Sequence, residues 1–258
     1  MLSVSRTNLI RFAATLAWVW LGAIFCRTCY ADEVTIGFSD HLAPYVVPAT
    51  QSGIEVEIFR EALAYHGHVL KPAFLPTRRL PQAFLDHQLD GAMSDSGVDL
   101  SGRGGTYGDS AVAFDNVLVT LKRRHLIIAR PQDLAGLTVL AFPGAIKRYP
   151  GWLEPVAQAG HYFESNNQGL QVRAVQAGQY DVVLTDRFIF NYFSRFLQSH
   201  HVTLGEVDME SPLTPNPIEY PAVFRNPKLR NDFNDGLKAL KKSGRYQEIY
   251  DRYVKQPS

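Results

Sequence analysis

One thirteen-residue pattern occurs twice in the chain and constrains its fold more than any other feature. Ala83-Phe-Leu-Asp-His-Gln-Leu-Asp90-Gly-Ala-Met-Ser94-Asp95 aligns without gaps with Ala174-Val-Gln-Ala-Gly-Gln-Tyr-Asp181-Val-Val-Leu-Thr185-Asp186. Each copy reads as a helix end, a tight Gln-x-Asp turn, a short apolar strand, then a hydroxyl and a carboxylate. A strand that ends this way sets polar groups at its carboxyl edge, where ligands of open α/β sheets bind. Two copies imply two similar lobes that offer such edges to a shared cleft.

The flanking sequence supports α/β lobes. Glu33 to Phe38 alternates apolar residues and reads as a strand. A loop with Pro44 and Pro48 follows. Gly53 precedes a helix with Ile54, Ile58, Ala62 and Tyr65 on one face, stopped at Gly67. Val69 to Leu75 is a second strand, and Arg78 to His87 a second helix that feeds the first repeated strand. This β-α-β-α-β order implies parallel pairing with helices on the sheet faces. Ser101 to Gly108 reads as a glycine-rich loop and Asp115 to Leu121 as a strand. The pattern restarts with a turn and strand at Asp133 to Phe142, an irregular helix at Lys147 to Ala159, and a helix at Gln168 to Ala177 that enters the second repeated strand. Arg187 to Gln198 is an aromatic-rich helix. Ser211 to Pro217 reads as a crossing segment and Tyr220 to Phe224 as a strand. Two amphipathic helices close the chain, the first capped by Asn226 and opened by Pro227.

The N-terminus stands apart. Arg6 and Arg11 precede an apolar run from Phe12 to Phe25, and a small-residue site closes at Ala31, as in a cleaved secretory signal. The run is short for a membrane span, which needs about 20 residues. Cleavage after Ala31 removes both cysteines, Cys26 and Cys29, so the mature chain relies on core burial and not on disulfides. It also removes Arg6, Arg11 and Arg27, which leaves 23 basic and 25 acidic side chains, a net charge of −2. No basic patch of the kind nucleic-acid binding needs is present.

Four segments, in order, resemble one family. Gly53-Ile-Glu-Val-Glu-Ile-Phe opens a helix like the family's Gly-φ-Asp-φ-Asp start, with Glu for Asp. The two repeated units resemble its "small residue-x-x-Asp" signatures. Asp133-Leu-Ala-Gly-Leu-Thr-Val resembles its Asp-Leu-x-Gly-x-x-Val turn, and Ser243-Gly-Arg-Tyr-Gln-Glu-Ile-Tyr250 its C-terminal ending. On these residues the mature chain resembles the bacterial periplasmic solute-binding proteins of family 3, the amino-acid-type binding proteins of ABC importers. The resemblance implies a type II, two-lobed α/β fold, each lobe a mostly parallel sheet flanked by helices, with two hinge crossovers. It divides the chain into a signal at 1–31, a first lobe at 32–119 and 212–258, and a second lobe at 120–211. Ligand-stabilised closure is the implied motion.

The resemblance also implies a site. Asp186 matches the family carboxylate that holds a ligand ammonium by a charge-assisted hydrogen bond; the residue type equally suits a helix N-cap. Gly144 and Ala145 stand where the family has Gly-Thr, whose amides meet a carboxylate, and Ala145 lacks the hydroxyl. After Met93 the family's Thr-x-x-Arg clamp is not intact: Ser94 and Asp95 come first, and Arg103 follows on a lengthened loop, either a displaced clamp or a solvated charge. Arg78 and Arg79 replace an aromatic residue that the family places against the ligand, and either reads an acidic group or starts a solvated helix. Tyr45 matches the family's Pro-Phe position, and covers an apolar ligand face or packs in the core. Asp95 beside Asp186 favours a ligand amine or a neutralising arginine between two carboxylates.

The implied function is non-enzymatic: periplasmic binding of an amino acid or small organic anion by a monomer, for delivery to an inner-membrane ABC permease, with no cofactor and no nucleic acid. A cyclohexadienyl-dehydratase-like enzyme with Asp95 or Asp186 as acid/base, and a ligand-presenting sensory or accessory protein, are the alternatives. His66-Gly-His68 and His200-His201 lack partners at metal-site spacing, so no metal is expected. Gly102 to Gly105 is not placed between strand and helix as a phosphate loop requires, and no serine sits in a nucleophile elbow.

Overall fold

The computed structural model describes residues 32–93 and 97–255. The expected secretory signal and its two cysteines lie outside the described residues, as do Ser94 and Asp95. In chain order the described elements are β1 (Glu33–Ser39), α1 (Ile54–Ala64), β2 (Val69–Leu75), α2 (Leu80–Leu85), β3 (Gly91–Met93), β4 (Thr106–Phe114) and β5 (Asn116–Leu121). Then come β6 (Val139–Ala141), α3 (Ala145–Arg148), α4 (Pro150–Gln158), β7 (Tyr162–Glu164), α5 (Gln168–Gln176), β8 (Val182–Asp186) and α6 (Arg187–Ser199). β9 (Val207–Glu210), β10 (Ile218–Phe224), α7 (Pro227–Ser243) and α8 (Arg245–Lys255) complete the chain. Among the described residues no helix is long and apolar enough to cross a membrane.

Two five-stranded sheets form, in the orders β2-β1-β3-β10-β4 and β7-β6-β8-β5-β9. In each, the first three strands are parallel, and the fourth is antiparallel to its neighbours. The fourth strand of each sheet lies next to a passage between the sheets. The chain enters the second sheet through Asp115, between β4 and β5, and returns between β9 and β10, through the proline-rich segment expected to cross. Strand pairing alone therefore places the first passage between the sheets at Asp115.

The repeated segments occupy equivalent places: β3 and β8 are each the third strand of their sheet. Their Gln-x-Asp turns do the same work twice. Asp90 Oδ2 accepts from the Thr35 amide at 2.8 Å, and Asp181 Oδ2 from the Thr138 amide at 2.7 Å. The amides of Asp90 and Asp181 in turn donate to the carbonyls of Thr35 and Thr138. Each aspartate thus staples the start of its strand to the parallel neighbour. The preceding helix ends match as well: His87 and Gly178 both adopt left-handed backbone, at φ 58° and 70°.

Both faces of each sheet are covered, so the central strands read as continuous apolar runs. In β8, Val182 and Leu184 enter one core and Val183 the other. In β3, Met93 and Ala92 divide in the same way. Helices α1, α7 and α8 cover one face of the first sheet, and α1 meets α7 so closely that a Cβ on Gly236 would lie 2.0 Å from the Ala62 carbonyl oxygen.

The structure corrects several expectations. The loop expected at Ser101 to Gly108 becomes strand from Thr106 onward, and β7 and β9 were not expected as strands. Tyr65, placed on the buried face of α1, lies past the helix end and is exposed. The helix expected from Arg78 begins as a 3-10 turn at Thr77–Arg79, and its α-helical part starts at Leu80.

Candidate functional site

The carboxyl ends of the parallel strands in the two sheets meet. Tyr45, on the loop that leaves β1, reaches Asp186, the last residue of β8: the phenol hydroxyl donates to Asp186 Oδ2 at 3.2 Å. This contact joins the loop after β1 to the end of β8. Ser39 ends β1, with its hydroxyl 2.8 Å from the Thr77 hydroxyl on the turn that leaves β2. Asp40 and His41 follow, paired at 2.6 Å. On the second sheet the corresponding edge is formed by Asp186 and by the turn from Phe142 to Ala145 that leaves β6.

Asp186 is a helix cap and a junction. It is 3% exposed. Its Oδ1 accepts from the amides of Phe188 and Ile189, at 2.9 and 3.0 Å, which satisfies two orphan donors at the start of α6. Its Oδ2 accepts from the Asp115 amide at 2.8 Å and from Tyr45. A carboxylate offers about four lone-pair sites, so these four donors fill it. Burial pushes its pKa up to about 7, against the pull of the donated hydrogen bonds.

Tyr45 packs in the core and has no exposed surface. Its ring lies 4.6 Å from Phe114 and 6.4 Å from Phe188, centroid to centroid, and its hydroxyl also lies 3.4 Å from the Ala113 carbonyl. Burial, and then the nearby Asp186 charge, raise its pKa well above the ordinary phenol value. Of the two roles open to Tyr45 in the sequence, the structure displays core packing.

The other candidates are placed less alike. Arg78 and Arg79 are exposed on the turn that leaves β2, and neither side chain is paired among the described residues. Arg103 is exposed at the end of a short 3-10 turn. Gly144 caps α3 in left-handed backbone, φ 82°, and Ala145 is fully buried. The amides of that turn are largely used inside the protein: Ala145 donates to the Phe142 carbonyl at 3.2 Å, and Ile146 to the Tyr162 hydroxyl at 3.1 Å. The structure thus brings Tyr45 and Asp186 into contact, and sets Arg78, Arg79, Gly144 and Ala145 at the carboxyl edges of the two sheets.

Sequence reasoning missed the polar knot at the crossovers. Asp115 pairs with Arg187 at 2.5 Å and accepts from the Asn216 amide group at 2.9 Å. Burial raises the Asp115 pKa, but Arg187 and Asn216 outweigh it and leave the carboxyl below its usual value. Asn216 Oδ1 also accepts from the Asn116 amide at 3.0 Å, so the outgoing and returning crossings are tied directly. Asn116 Nδ2 donates to the Tyr149 hydroxyl at 3.0 Å. Beside it, the Arg148 guanidinium lies 4.7 Å over the ring of Tyr220, a residue of β10. The clustering of Asn, Asp and Pro at the two crossings was the available signal. Among the described residues no group of three or more His, Cys, Asp or Glu side chains is placed to hold a metal.

No known protein family matches the sequence, and no curated protein matches it. Solved structures do match. A substrate-binding protein of an ABC uptake transporter from Streptococcus pneumoniae, with bound histidine, superposes with a TM-score of 0.67 at 17% identity over 87% of this chain and 93% of that one. The second substrate-binding domain of GlnP from Lactococcus lactis, in an open conformation, gives 0.61 at 22% over 89% and 98%. A histidine kinase sensor domain with similarity to periplasmic binding proteins gives 0.64 at 17% over 87% and 96%. The chain therefore has the two-lobed fold of periplasmic binding proteins.

Proposed function

We propose that the chain is an exported, monomeric binding protein that holds a small polar solute, an amino acid or a small organic anion, between its two lobes. The observation that carries this reading is the Tyr45–Asp186 contact, which sets the carboxyl edges of two α/β sheets against each other. The two lobes, each built on one of the sheets, close about the Asp115 and Asn216 crossings. Arg78, Arg79, Gly144 and Ala145 rim the cleft in this reading, whereas Arg103, on the turn before Thr106 and level with Gly91 across β10, lies at the amino ends of the strands and away from it. The similar structure named as a substrate-binding protein of an ABC uptake transporter supports delivery to an inner-membrane ABC permease. The signal-like residues 1–31 support the periplasm as the site of action.

Binding fits the site better than catalysis. A general acid or base needs a lone pair or proton within reach of substrate. Asp186 has the pKa of such a group, but four internal donors occupy its oxygens. A sensory role is the second reading, favoured by the similarity to a kinase sensor domain.

The test is a thermal-shift screen of the purified protein against a broad metabolite library, followed by small-angle scattering with each hit. A solute at 100 times its dissociation constant adds about 2.7 kcal/mol to stability. If no solute shifts the melt or compacts the protein, the proposal is wrong.

A further inference from the structure

The guanidinium of Arg148 lies in the seam between the two sheets. Its helix, α3, leaves the carboxyl end of β6 in the second sheet, yet the guanidinium stacks 4.7 Å over Tyr220 of β10 in the first. The neighbouring Tyr149 hydroxyl is held by Asn116, at the crossing itself. Tyr220 continues into an aromatic chain: its ring lies 5.5 Å from Phe114, and Phe114 lies 4.6 Å from Tyr45. Arg148 is thus at one end of a strip whose other end is the Tyr45–Asp186 contact.

The charges along this strip are used unequally. Arg148 Nε is buried and has no hydrogen-bond partner among the described residues, and Arg148 makes no ion pair with them. Leaving a charged donor buried and unpaired is costly, so such a group is informative where it persists. Arg78 and Arg79, at the edge of the first sheet, are also unpaired among the described residues. Two carboxylates nearby are spent, Asp115 on Arg187 and Asn216 and Asp186 on four donors, while Asp40 meets only the exposed His41. Glu219 precedes Tyr220 on β10 and so projects from the opposite face of the sheet.

We propose that the solute is a carboxylate-bearing organic anion without an ammonium group, and that Arg148 grips it. This rests on the binding reading above and narrows it. A planar guanidinium meets a carboxylate through two parallel N–H···O bonds, and stacking on Tyr220 holds the fork in place. The carboxylate at the end of β8, where an ammonium would be matched, is already saturated by four donors. Asp186 in this arrangement positions the hinge and does not touch the solute.

The experiment is isothermal titration of the purified full chain with two panels of probes. One holds acetate, pyruvate, lactate, succinate and malate; the other holds glycine, glutamine, histidine, arginine and inorganic phosphate. A member of the first panel should bind. Arg148→Gln should weaken that binding at least about tenfold without lowering the thermal midpoint of the free protein, and Arg148→Lys should recover part of the loss. Asp186→Asn should leave the affinity within about threefold. Binding of an amino acid or phosphate with equal or greater affinity would overturn the inference and leave the binding function standing. Carboxylate binding that ignores Arg148→Gln, or that disappears in Asp186→Asn, would also overturn it. Silence from both panels would overturn the inference and leave the binding reading to the broad metabolite screen.

Discussion

Tyr45 and Asp186 join the two sheets through one buried hydrogen bond, from the phenol hydroxyl to Oδ2 at 3.2 Å. The residues are 141 positions apart, and each is also tied to a crossing: Tyr45 packs on Phe114, and Asp186 accepts from the Asp115 amide. The hydroxyl has a second acceptor within reach, the Ala113 carbonyl at 3.4 Å. The contact therefore sits where any motion of one lobe against the other has to be absorbed.

The first prediction concerns pH. Asp186 is raised to about 7 in the folded protein, whereas the unfolded chain releases this proton near 3.9, the ordinary value for aspartate. Between these values the folded state holds more protons, so the stability that this group contributes is fully present below about 4 and is lost as pH rises through about 7. Asp186→Asn removes the titration and keeps a good cap residue. In urea melts, the stability of the wild type relative to Asp186→Asn should increase as pH falls from 7 to 4, by up to about 4 kcal/mol. A difference that stays flat across that range would show that Asp186 is ionised throughout.

Tyr45→Phe removes one hydrogen bond to Asp186 and preserves the ring. The expected loss is about 1–2 kcal/mol, since one lone pair on a buried carboxylate is left unmet. Tyr45→Ala, which also empties a fully buried ring site, should cost about 3–5 kcal/mol. Equilibrium denaturation of the two variants separates the bond from the packing. Equal losses would mean that the hydroxyl contributes most of the effect.

Asn216→Ala cuts the tie between the crossings. Oδ1 loses the Asn116 amide, and Nδ2 loses the Asp115 carboxylate and the Asn116 carbonyl. Two partly buried backbone groups go unmet, so the chain should lose about 1–3 kcal/mol. Amide exchange should accelerate at Asn116 ahead of the strand centres; uniform exchange across β5 would contradict this role.

Two left-handed helix ends make a matched pair. Gly178 carries φ 70° at no steric cost, while His87, its counterpart in the first repeat, carries φ 58° with a side chain. His87→Gly should raise stability by about 0.5–1 kcal/mol, the relief of strain less the added freedom of the unfolded chain. A lower melting temperature for this variant would mean that the imidazole makes a compensating contact.

Gly236→Ala tests the opposite sign. Helix propensity favours alanine by about 1 kcal/mol in an open helix. Here the new methyl would lie 2.0 Å from the backbone oxygen of Ala62, which cannot rotate away. Overpacking should win, with a net loss of about 1–3 kcal/mol. A neutral result would require α1 and α7 to separate, which a crystal structure of the variant would reveal.

Sequence alone determined that the chain contains two similar α/β units and where their central strands run. The reason is local: apolar runs, turn residues and the Gln-x-Asp staples act over a few positions, and they recur in both copies. Helix starts at Gly53 and Asn226 were legible for the same reason, being set by capping chemistry. The strands that were missed, β4, β7 and β9, are short or partly polar and are held by distant partners such as β10, β6 and β5. Roles at the site were harder still. Asp186 has the same sequence whether its oxygens face a solute or four internal donors, and only the approach of Asp115 and Tyr45 decided between them. Arg148 carried no sequence signal. Its place over Tyr220 depends on two sheets meeting across crossings far apart in the chain, so tertiary structure alone put a charge into that seam.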